Sequence, residues 1–107
     1  MTMDAKTEKW IRIASVSEIP RGEGRIFHVG TRVIALFHLE NGVICAVDNA
    51  CPHRGGPLAH GILTGETVIC PLHGWKIDLM TGKVLGESEG VKTYPVLIDH
   101  DGVLIAE

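Results

Sequence analysis

Four residues whose side chains bind metals lie in two short segments of the chain. One residue separates Cys51 from His53, two separate Cys70 from His73, and sixteen separate the two pairs. Thiolate and imidazole are ligands that suit zinc and iron. In both segments proline follows the cysteine and glycine follows the histidine within two residues, so the backbone can turn sharply and approach an anionic sulfur closely. The pattern therefore predicts two metal-binding loops.

Two kinds of metal centre take two cysteines and two histidines. Structural zinc sites usually draw their ligands from Cys-x2–4-Cys and His-x3–5-His pairs, whereas each segment here mixes the two ligand types. A Rieske [2Fe–2S] cluster takes two cysteines on one iron and two histidines on the other. Two mixed loops can each give one ligand to each iron, which favours the iron–sulfur centre. A structural zinc site is the alternative.

The elements that must position these loops are predicted to be β-strands. Val and Ile supply 21 of the 107 residues, and 13 Gly and 5 Pro interrupt the chain every few residues. Short apolar runs between such turn residues are typical of antiparallel sheets, so the predicted fold class is all-β. One helical turn is predicted at residues 15–19. The predicted strands are residues 10–13, 26–29, 33–38, 43–47, 68–70, 76–79, 91–98 and 103–106.

Length and composition exclude several classes of protein. A chain of 107 residues forms one domain with one core. Its longest apolar runs are about five residues, so we expect no membrane span, and its polar start gives no sign of a signal peptide. Ten Lys and Arg scattered along a chain of net charge −3 indicate no nucleic-acid partner. Three cysteines, an odd number, argue against a disulfide framework, and the lack of a secretion signal favours a cytoplasmic location.

The two segments resemble a pair of motifs from a known family. Cys51-Pro-His-Arg-Gly-Gly and Cys70-Pro-Leu-His-Gly-Trp are similar to the two cluster-binding boxes of Rieske-type [2Fe–2S] ferredoxins, and the similarity covers nearly the whole chain. The resemblance implies one cluster per chain, held by Cys51, His53, Cys70 and His73. It also implies the ISP-like Rieske fold of small antiparallel sheets in a single domain, residues 1–107. An inserted cluster-binding subdomain would span about residues 48–78, and the base domain would be the remainder.

Within that family the motifs resemble those of the small subunit of assimilatory NAD(P)H-dependent nitrite reductases, which is the leading hypothesis. This similarity lies in residues 70–79, 81–84 and 91–96. It implies a one-electron carrier that is not catalytic alone, and whose partner is a large subunit that reduces nitrite to ammonium. The alternative is the ferredoxin of a ring-hydroxylating dioxygenase system, which links a flavin reductase to a terminal oxygenase. Trp75 after Gly74, and the absence of proline from residues 84–88, favour the nitrite reductase. A zinc-stabilised interaction module is the third hypothesis.

The resemblance also carries an expectation about redox potential. Family members of quinol-oxidising respiratory complexes have an additional cysteine in each loop, joined in a disulfide, at positions that correspond to Gly56 and Leu72 here. They also have a serine where this chain has Trp75. Fewer hydrogen bonds to cluster sulfur stabilise the reduced form less, so we expect a potential in the low part of the Rieske range.

The remaining cysteine and histidines are assigned to no site. Cys45 lies in an alternating strand and is expected to be a buried, inert thiol. His60 is expected to be a polar loop residue. Surface positions on strands or turns are expected for His28, His38 and His100.

Overall fold

The computed structural model describes residues 9–52, 55–72 and 74–106. Within these residues the regular structure is ten strands and two single turns of 3₁₀ helix, at Val16–Glu18 and Leu58–His60, so the all-β prediction is confirmed. The same residues contain no helix long and apolar enough to cross a membrane. The strands are β1 (Trp10–Ser15), β2 (Glu23–Val29), β3 (Arg32–His38), β4 (Ile44–Asp48), β5 (Ile62–Thr64), β6 (Thr67–Ile69), β7 (Lys76–Asp78), β8 (Thr93–Tyr94), β9 (Val96–Asp99) and β10 (Gly102–Ala106).

The strands form three small antiparallel sheets. The first sheet has the order β1-β10-β9, the second β2-β3-β4-β8, and the third β5-β6-β7. Tight turns set the register: β2 and β3 pair from Val29 opposite Arg32, and Gly30 in the turn between them has a φ of 63°, a conformation that glycine adopts without strain. The third sheet lies entirely within residues 62–78. The division into a cluster-binding subdomain and a base domain remains a prediction.

The central strand β3 is buried on both faces, which explains its unbroken apolar run. Ile34, Ala35, Leu36 and Phe37 are each 0% exposed. Because side chains alternate along a strand, Ala35 and Phe37 pack in one core cluster and Ile34 and Leu36 in another. The first cluster contains residues of the third sheet together with Cys51 and Cys70, and the second contains Val103, Ile105 and Ala14 of the first sheet. β3 therefore joins the metal-binding loops to the rest of the molecule.

The structure corrects the strand predicted at residues 91–98. Two short strands occupy this segment, β8 in the second sheet and β9 in the first. Pro95 lies between them; it has no N–H to donate to a sheet and restricts the residue before it, so the chain leaves one sheet here and enters another.

Two further elements were not predicted from the sequence. Strand β5 is only three residues long, too short for apolar alternation to show, and it pairs with β6. A Cβ on Gly61, just before β5, would lie 2.3 Å from the Ile69 carbonyl oxygen, so glycine allows the close approach of the chain there. The other is the turn Leu58–His60, between Pro57 and Gly61, where the sequence predicts neither a strand nor a helical turn.

His38 also departs from its expected surface position. Its side chain is buried, and its Nδ1 lies 2.7 Å from the carbonyl oxygen of Ile19. The histidine satisfies a backbone acceptor inside the protein, which explains why a polar residue follows the apolar run of β3.

Tyr94 joins β8 to β4 through its hydroxyl group, which donates a 2.6 Å hydrogen bond to Asp48. Burial and this hydrogen bond raise the pKa of the Tyr94 phenol from 10.0 to about 12. The folded protein thus holds the phenolic proton more tightly than the unfolded chain. The resulting contribution to stability is complete below about pH 10 and is lost as the pH rises through about 12.

We therefore predict that Tyr94 ionises about two pH units higher in the folded protein than in urea. It is the single tyrosine of the chain, so the ultraviolet difference spectrum between the wild type and Tyr94→Phe reports on it alone. A folded-state midpoint equal to that in urea would contradict the structure around this hydroxyl.

Candidate metal centre

The first metal-binding loop follows β4 and is closed by two backbone hydrogen bonds around its cysteine. The N–H of Cys51 donates to the carbonyl of Gly56 at 2.8 Å, and the N–H of Gly55 donates to the carbonyl of Cys51 at 2.7 Å. The cysteine is thus held by both of its own backbone groups. Its side chain is buried, at 2% exposure.

The second loop, between β6 and β7, repeats this arrangement. The N–H of Cys70 donates to the carbonyl of Trp75 at 2.7 Å, and the N–H of Gly74 donates to the carbonyl of Cys70 at 3.1 Å. In each loop the cysteine pairs with the residues four and five positions ahead. In the described residues the two loops therefore have the same pair of backbone hydrogen bonds, although their cysteine–histidine spacings differ.

Gly55 and Gly74 occupy the same position in the two loops, four residues after the cysteine. Their φ angles are 70° and 75°, in the left-handed region that side chains other than glycine disfavour. No atom lies within 4 Å of a Cβ built on either glycine, so it is the backbone conformation and not the available space that requires glycine. The sequence pattern of glycine soon after each histidine thus has a conformational cause.

Asn49 fixes the base of the first loop. Its N–H donates to the Val33 carbonyl at 2.9 Å, its carbonyl accepts from the N–H of Leu58 at 2.8 Å, and its Oδ1 accepts from the N–H of Ala59 at 2.9 Å. These bonds tie both ends of the loop to each other and to the start of β3. Sequence reasoning missed this residue because no motif distinguishes a clamping asparagine from a loop asparagine.

The two loops lie against each other at Gly56. A Cβ on Gly56 would lie 3.1 Å from the Sγ of Cys70 and 2.9 Å from the Cγ of Leu72, so only glycine lets the loops approach this closely. Cys51 and Cys70 belong to the same apolar cluster, which also includes Val68. Two buried cysteines that form no disulfide, in adjacent, matched loops, suit a metal centre that takes one cysteine from each loop.

Of the four predicted ligands, the structure describes the two cysteines. His53 and His73 lie outside the described residues, and so does Arg54. Within the ranges described, no group of three or more histidine, cysteine, aspartate and glutamate side chains could hold a metal elsewhere. The assignment of all four ligands therefore remains a prediction.

Cys45 is separate from the two loops. It lies on β4, is 7% exposed, and its thiol donates to the Sδ of Met80 at 3.6 Å. Burial first, and then the nearby carboxylates of Glu66 and Asp78, raise the pKa of this thiol from 9.0 to about 11. The thiol is therefore held in its protonated, unreactive form.

Comparison with known proteins identifies the family. A sequence model of the Rieske [2Fe-2S] domain matches residues 9–95. The chain belongs to this family. The predicted fold and the predicted cofactor, a Rieske [2Fe–2S] cluster, are therefore confirmed.

Three relatives of this Rieske protein are informative. The ferredoxin component of the naphthalene 1,2-dioxygenase system of Pseudomonas aeruginosa is 39% identical over 101 residues, which cover 92% of this chain and 96% of the relative. The structure of a Sphingomonas yanoikuyae B1 ferredoxin matches with a TM-score of 0.84 and 27% identity, over 92% of this chain and 99% of that one. A structure described as an NADH-dependent nitrite reductase small subunit from Mycobacterium tuberculosis has a TM-score of 0.85 and 23% identity, over 94% and 96% of the two chains. At that identity the nitrite reductase likeness shows the fold alone.

The environment of Gly56 and Trp75 leads to a prediction about redox potential. Gly56 and Leu72, which stand where respiratory members of the family have a disulfide, are in contact. Trp75, which stands where those members have a serine hydroxyl, is half-buried against the apolar cluster. We expect a midpoint below about +100 mV, within the Rieske range of about −150 to +300 mV. Protein-film voltammetry measures this midpoint. A wild-type midpoint well above that bound would refute this explanation.

The raised pKa of Cys45 predicts slow alkylation. With a pKa of about 11, this thiol should react with iodoacetamide about a hundredfold more slowly than a thiol of pKa about 9, before steric protection is counted. Mass spectrometry of the iron-loaded protein at about pH 8 should find Cys45 unlabelled, whereas urea-unfolded protein should be labelled readily. Rapid labelling of the folded protein would show that this side chain is neither buried nor protonated as described.

Proposed function

We propose that this chain is the ferredoxin component of an aromatic-ring-hydroxylating dioxygenase system. The observation that supports the proposal is the 39% identity to a ferredoxin of such a system, across 92% of this chain and 96% of the relative. Because the alignment covers nearly the whole of both proteins, the likeness extends to the complete carrier and not only to the two motifs. The partners would be a flavin reductase that supplies electrons and a terminal oxygenase that receives them.

The proposed ligands are Cys51 and Cys70 on one iron and His53 and His73 on the other. The matched hydrogen bonds of the two loops and the burial of both cysteines support this arrangement. When bound, the cluster supplies one-electron redox chemistry at a potential above that of an all-cysteine cluster. The chain itself positions the thiols, excludes water from them with the apolar cluster, and fixes the first loop through Asn49.

The proposal includes the domain division and the location. The cluster-binding subdomain would span about residues 48–78, since the third sheet and both loops lie there, and the base domain would be the remainder. The chain would act in the cytoplasm as an electron carrier that is not catalytic alone. None of the three cysteines forms a disulfide, which is compatible with a reducing compartment.

The small subunit of an NAD(P)H-dependent nitrite reductase is the second candidate. It is favoured by the motif similarity in residues 70–79, 81–84 and 91–96, including Trp75 after Gly74. The dioxygenase ferredoxin has the stronger support, because a relative of that kind shares 39% identity over 92% of the chain, whereas the nitrite reductase structure shares only the fold.

Removal of one proposed ligand should abolish the cluster. We expect Cys51→Ser and His73→Ala to lose the visible absorbance and the electron paramagnetic resonance (EPR) signal of a reduced Rieske cluster, with iron content falling towards zero. Cys45→Ser is the matched control and should keep all three properties, since Cys45 lies outside the loops. A colourless wild type that contains zinc, or a Cys51→Ser variant with normal iron and an unchanged signal, would contradict the ligand assignment.

Reconstitution distinguishes the two candidate functions. The holoprotein, mixed with the reductase and oxygenase components of the Pseudomonas putida naphthalene 1,2-dioxygenase system in place of their own ferredoxin, should support naphthalene oxidation. Omission of the chain or use of Cys51→Ser should reduce turnover to background. If turnover is absent there but nitrite reduction appears with a nitrite reductase large subunit, the second candidate is correct.

A further inference from the structure

We propose that a positively charged cleft beside the first loop binds carboxylate side chains of the oxygenase to which the chain passes electrons. The inference rests on the proposed function, because it concerns the partner of that same centre. We call this feature the Arg32–Lys92 cleft; residues 31–33, 48–50 and 90–92 line it together with Pro52, Gly55 and Pro57 of the first loop.

The cleft is large and reaches the loop that carries Cys51. Its volume is about 580 Å³, which exceeds that of any single side chain. One wall is the start of β3 and the end of β4, and the other is the segment that leads into β8. Pro52 and Gly55 form its edge on the side of the metal centre, so a segment bound in the cleft would lie next to the loop.

The charges of the cleft are arranged around Tyr94. The Cζ of Arg32 lies 5.7 Å from the centroid of the Tyr94 ring and the Nζ of Lys92 lies 5.0 Å from it, which places two cations against one aromatic ring. The Tyr94 hydroxyl donates to Asp48 at 2.6 Å, so this carboxylate is held at the ring.

The cleft is positive although the whole chain is negative. Its lining includes two cations, Arg32 and Lys92, and one carboxylate, Asp48, whereas the full sequence has a net charge of −3. Glu89 is next to Gly90 in sequence but does not line the cleft. A local excess of positive charge beside the metal centre attracts acidic groups and repels basic ones, so the complementary occupant is a carboxylate.

The surroundings favour a protein carboxylate. Pro52 and Pro71 are exposed, and Leu72 is 52% exposed, so the described residues of the two loops present apolar surface next to the charged cleft. Protein interfaces combine an apolar centre with a polar, charged rim in this way. An acidic segment of the oxygenase could contact the loops and place its carboxylates in the cleft at the same time.

The test compares two charge reversals in the iron-loaded protein. Lys92→Glu reverses a charge in the cleft. Arg21→Glu reverses a charge near the opposite end of β3, where Arg21 Nη1 donates to the Glu40 carbonyl, about 20 Å away along the strand. Both side chains are exposed, so both variants should fold, and unchanged melting and EPR spectra check this. Lys92→Gln is a milder second variant.

The first measurement does not depend on the proposed function. Binding of a short fluorescent oligoglutamate peptide at low ionic strength should weaken about fivefold in Lys92→Glu and less than twofold in Arg21→Glu. Added salt should remove the difference between the two variants. Equal weakening in both, or none in Lys92→Glu, would overturn the proposal.

The second measurement uses the naphthalene 1,2-dioxygenase oxygenase. The second-order rate of electron transfer from the reduced chain should fall about fivefold in Lys92→Glu at low salt, less in Lys92→Gln, and little in Arg21→Glu, because rim charges act mainly on association rates. If the wild type transfers no electrons, the proposed function fails and the peptide measurement still decides the cleft. If it transfers electrons and Lys92→Glu matches Arg21→Glu, the cleft proposal fails and the function stands.

Discussion

The rest of the structure depends on how two buried cysteines are held in loops that belong to no sheet. Buried backbone groups need partners, and each cysteine finds them within its own loop, from its N–H and carbonyl to residues four and five positions ahead. This closure needs a left-handed residue, which is why Gly55 and Gly74 stand at equivalent positions. The loops can then meet at Gly56, where no side chain intervenes.

The sheets hold the two loops in place. Strand β3 is buried on both faces, so the cluster that contains Cys51 and Cys70 and the cluster beneath the first sheet share one central element. This strand fixes the position of the first loop, because the N–H of Asn49 donates to the Val33 carbonyl. Asp48, at the end of the neighbouring strand β4, accepts the hydrogen bond of the Tyr94 hydroxyl and so holds the ring against which Arg32 and Lys92 lie. Metal centre and cleft are therefore positioned by the same pair of strands.

Much of this was predictable from the sequence, and the failures have physical causes. The motifs around Cys51 and Cys70 predicted the family and the cofactor, and the turn residues predicted most strands. The strand predicted at residues 91–98 was wrong because apolar periodicity ignores which sheet a residue joins, and Pro95 marks that change. The buried position of His38 depends on the Ile19 carbonyl, a tertiary contact that no local pattern encodes. The preference for nitrite reductase relied on a few residues, whereas the 39% identity over 92% of the chain favours a dioxygenase ferredoxin.

The three hydrogen bonds of Asn49 have a consequence for the speed of electron transfer. An electron moves quickly only when few atoms must shift between the two oxidation states, and a preorganised site keeps this reorganisation small. Asn49 spans the base of the first loop with bonds of 2.8 to 2.9 Å to backbone groups of Val33, Leu58 and Ala59, none of which is a proposed ligand. These backbone hydrogen bonds limit how far the atoms of the first loop move when the centre is oxidised or reduced. A small carrier can then exchange electrons repeatedly while the surface around its metal centre keeps its shape.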